Sequence, residues 1–177
     1  MLIDIAELES CGSIDEILAL CVEPMKKLLT YAEQDEVKAI VREDDVELIK
    51  ELGGTGDKAY DKAQTTMLNN YLSYYLTVSA KTCITHVYPS DNYTEDDAFF
   101  LVGSYYLTVI EFALQLVRQS LLNKSLSANG NGTIKAISSN GRNVTFMSVL
   151  ESVSQSELPL AIKQRLPRPK ANKVRVW

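Results

Sequence analysis

Residues 94–122 read TEDDAFFLVGSYYLTVIEFALQLVRQSLL, and this stretch decides the fold class. A threonine followed by three acids is a typical helix start, because acidic side chains are stabilised at the positive end of the helix dipole. The apolar run that follows predicts one long helix over about 95–122. Glu111 and several hydroxyl groups lie within the run and would sit poorly in lipid. The run therefore favours a buried helix over a membrane span.

A second long helix is predicted just before it, over about 58–85. Its apolar residues recur at steps of three and four and form a broad stripe: Ala63, Met67, Tyr71, Tyr75 and Val78, with Leu68 and Leu72 beside them. The turn residues that begin with Tyr88-Pro89 leave only a short connection. We therefore expect the two long helices to be antiparallel neighbours. Gly103 costs about 1 kcal/mol relative to alanine, which a close helix crossing there would offset.

Toward the N-terminus, shorter helices are predicted. Ser13 and Glu16 have the spacing of a capping box, and apolar residues follow at helical intervals. Pro24 is expected to kink or restart this helix, because it lacks the amide donor and crowds the preceding turn. A further short helix over 46–52 should end at Gly53.

Beyond the long helices the pattern changes. A polar, glycine-rich loop is predicted over 123–132, and Asn140-Gly141 between two alternating runs predicts a β-hairpin over 133–148. An isolated hairpin is marginal in water, so it needs the helical body or hairpins of neighbouring subunits. The residues expected to make that oligomer contact are Ile134, Ala136, Ile137, Val144 and Phe146.

The last part of the chain, 149–177, predicts a short helix over 158–166, ended by Pro167, and then an extended C-terminal arm. With residues 1–122 as the helical body, the predicted fold class is mainly α. It is a helical bundle with two long antiparallel helices, a small β-hairpin and an extended C-terminal arm. We expect the last dozen residues to gain their order from a second polypeptide.

Charge is distributed unevenly along the chain. The net charge of −5 combines −9 over residues 1–60, −3 over 61–122 and +7 over 123–177. Opposite signs at opposite ends suit a contact between identical copies, because complementary potentials steer association and fix its register. The alternative, that charge only keeps the arm soluble, is equally open at this point.

The sequence offers no catalytic constellation, and we expect no enzyme, no cofactor and no metal. His86 is the single histidine, and no second Cys/His pair completes a zinc site with Cys83. The acids at 43–45 and 95–97 stand at predicted helix starts, where acids are expected anyway. The three cysteines lack framework spacing and are expected to be free thiols.

Two sets of side chains are candidates for binding. The tyrosines of the long helices, such as Tyr71, Tyr74, Tyr75, Tyr105 and Tyr106, favour core and interface packing over base stacking. The basic and aromatic residues of the C-terminal part are predicted to bind a partner, because arginine and tryptophan are enriched at interface hot spots. The predicted partner-binding residues are Lys163, Arg165, Arg168, Lys170, Lys173, Val174, Arg175, Val176 and Trp177.

The order of these elements resembles the head–tail connector (adaptor) family of tailed phages. The pattern is carried by residues 134–177: IKAIS, then NVTFMS, then LPLAIKQRL and a basic end. The resemblance implies a structural protein that forms a dodecameric ring in the virion neck, assembled in the host cytoplasm and without a membrane. The hairpin and the arm from Pro167 to Trp177 are the positions that it carries over.

The resemblance also implies the partners. They are the portal protein, copies of the chain itself, a tail or neck protein on the distal side, and genomic DNA in passage through the ring. Two other classes stay open. A nucleic-acid-binding regulator would use the basic C-terminal segment and bind DNA with a steep salt dependence. A small helical enzyme would need a polar pocket.

Overall fold

The computed structural model describes residues 3–39, 57–89, 93–128, 137–139, 142–144 and 158–170. Within these ranges the protein is mainly helical, as the sequence predicts. The helices, numbered in chain order, are α1 (Ile5–Glu9), α2 (Ile14–Leu28), α3 (Tyr31–Lys38), α4 (Asp57–Val87), α5 (Glu95–Ser104), α6 (Tyr106–Ala128) and α7 (Leu160–Lys163).

Helices α4 and α6 are antiparallel and form the centre of the body. Two hydrogen bonds fix their direction: the Tyr71 hydroxyl lies 2.8 Å from the Ser120 hydroxyl, and the buried Ser79 hydroxyl donates to the Val109 carbonyl at 2.7 Å. As the residue number rises along α4, its partner on α6 falls. The prediction of antiparallel neighbours is confirmed for these two segments.

Helices α2 and α3 pack across the α4–α6 pair and close the core. Arg118 of α6 donates to Glu33 of α3 at 2.7 Å, and this hydrogen bond lowers the pKa of the Glu33 carboxyl below its usual value, helped by the Thr30 amide. The core is apolar and continuous. Its largest fully buried side chains are Phe112, Ile17, Met25, Leu68, Leu72, Leu76, Ile110, Leu116, Ile162, Val37, Val87 and Val102.

The helix predicted over 95–122 is broken, and this part of the prediction is wrong. Helix α5 ends at Ser104, Tyr105 has φ −118° and ψ 24°, and α6 starts at Tyr106 with its axis turned by 79°. Gly103 and Ser104 are weak helix formers, so the break costs little there. The turn lets α5 pack on α2 while α6 packs on α4. A Cβ on Gly103 would meet Ile17 Cδ1 at 3.6 Å, an ordinary contact, so no close crossing requires this glycine.

Helix α2 runs through the buried Pro24 to Leu28, so of the two expected effects the restart does not occur, and the kink stays a prediction. Two other boundaries differ from the predicted ones. Helix α6 continues to Ala128, into the stretch predicted as a polar loop, because the first glycine there is Gly130. Helix α7 is one turn long and shorter than the predicted 158–166.

Two three-residue strands, β1 (Ile137–Ser139) and β2 (Arg142–Val144), pair antiparallel. Ile137 lies opposite Val144, and Asn140-Gly141 separates the strands in the sequence. Ile134, Ala136 and Phe146, assigned to the same predicted hairpin, lie outside the described residues, as does the short helix predicted over 46–52. The hairpin's role as an oligomer contact stays a prediction.

Among the described helices, none taken singly is long and apolar enough to cross a membrane. By length and composition alone, α5 together with residues 106–123 would be, as a bent pair.

Candidate functional site

The segment 158–170 packs onto the chain's own body. Leu158, Ile162 and Leu166 are buried and belong to the main core, while Leu160 between them is 71% exposed. Ile162 lies on the one-turn helix α7 (Leu160–Lys163), and Leu158 and Leu166 flank this helix on either side in the sequence. This segment is therefore an integral part of the protomer.

Lys170 is the last residue described, and the body holds it by several contacts. Its backbone amide donates to the Val87 carbonyl at 2.8 Å, where α4 ends. Its ammonium group donates to the Tyr88 hydroxyl at 3.2 Å and lies 4.7 Å from the centre of the Tyr88 ring. The same nitrogen lies 3.7 Å from Asp97 Oδ1 in the first turn of α5. Lys170 is therefore held against the end of α4 and the first turn of α5.

The charges at this point stabilise one another. Hydrogen bonds from the Thr94 amide and hydroxyl lower the pKa of the Asp97 carboxyl, and Lys170 lowers it further. The hydrogen bond with Tyr88 and the nearby Asp97 raise the pKa of Lys170. Both side chains stay charged at neutral pH, so the contact persists over the physiological range.

A cleft of about 410 Å³ opens beside Lys170, between the end of α4 and the start of α5. We call it the Phe100 cleft. Its floor is apolar and includes the buried Tyr88 and Leu101, and its rim carries Asp96 and Asp97. Phe100 lies at this rim with 71% of its surface exposed. An exposed aromatic ring beside carboxylates is typical of a surface that binds an apolar and basic segment.

Two further contacts join the C-terminal segment to the body. Arg165 forms an ion pair with Glu111 of α6. His86, near the end of α4, lies close enough to Lys163 for the ammonium charge to act on it. Partial burial lowers the pKa of His86, and Lys163 lowers it further. The imidazole is therefore neutral where the C-terminal segment docks.

The predicted partner-binding residues divide into two groups. Arg165 and Lys170 contact acidic residues of their own protomer. For Lys170 this differs from the expectation that the last dozen residues gain their order from a second polypeptide. The physical reason is that Leu158, Ile162 and Leu166 bury apolar surface and bring these bases against Glu111 and Asp97. Lys163 also lies in this docked segment, and Arg168 is exposed. Lys173, Val174, Arg175, Val176 and Trp177 lie outside the described residues.

The long helices use their tyrosines for packing. Tyr75 is buried, and its ring lies 4.9 Å from that of Tyr71 and 5.2 Å from that of Tyr74, both in edge-on geometry. Tyr71 bonds Ser120 through its hydroxyl, and burial raises its pKa above the ordinary value. These three rings pack edge-on against one another and do not form an open platform on which bases could stack.

The described residues contain no group of three or more His, Cys, Asp or Glu side chains able to hold a metal ion. Cys83 is buried, and burial raises the pKa of its thiol to about 12. Among the acids at 95–97, Asp97 caps α5. The acids at 43–45 lie outside the described residues.

The sequence does not predict the contact of Lys170 with Tyr88 and Asp97. From the sequence, Tyr88 is expected in a turn and Asp97 in a helix cap, and no pattern near either residue indicates a contact with a lysine more than 70 residues further along the chain. The spacing of Leu158, Ile162 and Leu166 is the one signal that the segment docks. Comparison of the chain with protein-family models, curated proteins and solved structures found no match.

Proposed function

We propose that this protein is a structural head–tail connector (adaptor) of a tailed bacteriophage. Copies form a ring that joins the portal to the tail and lines the DNA channel, and each arm inserts its basic, aromatic end into a crevice of the portal or of an adjacent subunit. The observation that supports this best is that Val87 and Asp97 hold Lys170, the residue directly before the proposed arm. A folded body that holds the start of a basic and apolar segment can present that segment to a partner.

The proposed arm is shorter than the segment from Pro167 to Trp177 that the sequence predicts. The described residues 158–170 pack on their own body, so we assign the partner contact to residues 171–177, which contain two cations, two valines and Trp177. Ordering about seven residues costs on the order of 10 kcal/mol. A ring offsets this cost, because once one arm has bound, the later contacts are effectively intramolecular.

The acidic body supports the channel role. Residues 1–122 carry a net charge of −12. Like charge repels the DNA backbone, so a lumen lined by such a body lets DNA slide without adhering. The distal face of the ring would contact a tail or neck protein.

The alternative, a nucleic-acid-binding regulator, is less well supported. It needs the C-terminal bases for phosphates, but Arg165 and Lys170 face Glu111 and Asp97. An acidic body beside them weakens phosphate binding further.

Truncation tests the proposal. A chain that ends at Lys170 keeps every described contact of the C-terminal segment, so we expect it to fold like the full-length protein and to lose attachment to the portal of the same phage. A chain that ends at Leu166 also loses the Lys170 contacts and serves as the harsher comparison. Co-sedimentation with portal rings measures attachment. Attachment at full strength after removal of 171–177 contradicts the proposal.

A further inference from the structure

The Phe100 cleft has a chemistry that the proposed portal contact does not use. Its apolar floor, the exposed Phe100 and the carboxylate of Asp96 face outward together. Covering an exposed phenylalanine is favourable, and a cation placed beside Asp96 would find an opposite charge. The cleft therefore suits an extended segment that presents basic and aromatic side chains on one face.

The chain itself contains such a segment. Residues 173–177 read KVRVW, with cationic and apolar side chains in alternation. In an extended strand, residues two apart point to the same face, so Lys173, Arg175 and Trp177 share a face and the two valines share the other. The first face brings cations that can pair with Asp96 and an aromatic ring that can cover Phe100.

The length of the arm favours the cleft of a neighbour over its own. Lys170 lines the cleft, so residue 171 starts at the rim. Residues 171–177 contain neither glycine nor proline, and two β-branched valines favour extended backbone. Extended at about 3.3 Å per residue, they reach roughly 23 Å. A cleft of about 410 Å³ is only a few side chains across, so an extended arm carries Trp177 past it.

We infer that the Phe100 cleft binds residues 173–177 of a second copy of the chain. The contact is heterologous, because each copy offers a segment on one side and a cleft on the other. Repetition of such a contact closes a ring when the rotation between copies allows it. The inference rests on the proposed ring function and names the site through which one copy holds the next.

Trp177 is the only tryptophan of the chain, so its fluorescence reports the position of the arm. For the full-length protein, we expect the emission to shift to shorter wavelength as the concentration rises, together with an increase in the measured mass.

Phe100→Ala should weaken this association by about tenfold or more. Tyr31→Ala is the matched control, because Tyr31 is 87% exposed on α3 and does not line the cleft. Asp96→Lys, a charge reversal on the exposed rim, should act like Phe100→Ala.

A mixture of two variants separates the possible arrangements. Phe100→Ala keeps the arm and loses the cleft, while deletion of 171–177 keeps the cleft and loses the arm. At a concentration where the wild type associates and Phe100→Ala does not, each variant alone should remain a single protomer, of about 19.7 kDa for Phe100→Ala and slightly less for the deletion. The mixture should form a complex of one copy of each and no larger. A mixture that stays at the protomer mass overturns the inference. So does a wild-type emission that is already shifted and independent of concentration, since the arm then lies on its own body.

The experiments distinguish failure of the cleft contact from failure of the proposed connector function. If the pure protein does not self-associate through the cleft but adds to portal rings, the inference is wrong and the connector function stands. If it associates through the cleft and ignores the portal, the inference stands and the connector function is wrong.

Discussion

Asp97 uses its two carboxylate oxygens for two different tasks. Oδ2 accepts hydrogen bonds from the Thr94 amide at 3.1 Å and the Thr94 hydroxyl at 3.0 Å, which caps α5. Oδ1 faces the Lys170 ammonium group. One side chain thus connects the start of a core helix to the root of the arm. The cap was predicted from the sequence because it depends on residues three apart, whereas the contact with Lys170 depends on the whole fold.

Ser79 provides a test of the central helix pair at the level of one atom. Its fully buried hydroxyl bonds the Val109 carbonyl across the α4–α6 interface. Replacement by alanine should lower the free energy of unfolding by about 1 kcal/mol. Thr77→Ala is the control, because the exposed Thr77 hydroxyl bonds only the Ser73 carbonyl of its own helix and its loss should cost less than about 0.5 kcal/mol. Urea unfolding of both variants measures the difference, and equal costs would show that the Ser79 bond contributes nothing.

The lowered pKa of His86 makes the stability of the protein depend on pH. Its pKa is lowered from 6.5 in the folded protein by partial burial and by Lys163, so the unfolded chain binds the proton more readily. Stability is therefore full above pH 6.5 and falls as the pH drops from there toward the lowered folded-state value. The urea midpoint should decrease between pH 7.5 and 5.5, and His86→Asn should reduce that decrease. If the urea midpoint of the variant decreases with pH as much as that of the wild type, His86 does not cause the pH dependence.

At the scale of elements, the break between α5 and α6 shapes the site. The axes of α5 and α6 differ by 79°, and Phe100 of α5 lines the cleft together with Tyr88 and Lys170. The sequence did not predict the turn, because the apolar pattern continues through Gly103 and Ser104. What decides it is tertiary packing: α5 makes most of its contacts with α2, whereas α6 packs mainly along α4 and also contacts α2.

The C-terminal segment should behave as a packed element. Ile162 is fully buried, so Ile162→Ala should cost about 2–4 kcal/mol through lost burial and the cavity left behind. Leu160 lies two residues away, is 71% exposed, and serves as the control, with a cost within about 0.5 kcal/mol for Leu160→Ala. Urea unfolding followed by circular dichroism gives both values. If the two substitutions cost the same, the segment does not dock as described.

For the whole molecule, the periodic parts of the sequence were the predictable ones. The apolar steps of three and four in the stretch 58–85 predicted the long helix α4, and the short connection after it predicted the antiparallel direction of its neighbour. The same steps misjudged the buried side in detail: Met67 and Val78 are only partly buried, while Leu68 and Leu72 are fully buried. Lys170 could not be placed, because its partners Val87, Tyr88 and Asp97 come together only when α4, α5 and the C-terminal segment have packed.

The charge asymmetry also belongs to this scale. The C-terminal third carries +7 and the rest −12, and the docked segment already neutralises part of this difference through Arg165 and Lys170. Beyond Lys170 the sequence adds two further cations, Lys173 and Arg175, whereas residues 1–122 carry a net negative charge. Such a distribution favours ordered contacts between copies over general adhesion to nucleic acid.

The mass of the full-length protein, measured by native mass spectrometry alone and after mixing with the portal ring of the same phage, tests the connector role most directly. The account predicts that several copies add to each portal ring, and that a chain ending at Lys170 adds none. A monodisperse protomer of 19.7 kDa that stays separate from the portal in every mixture would contradict it.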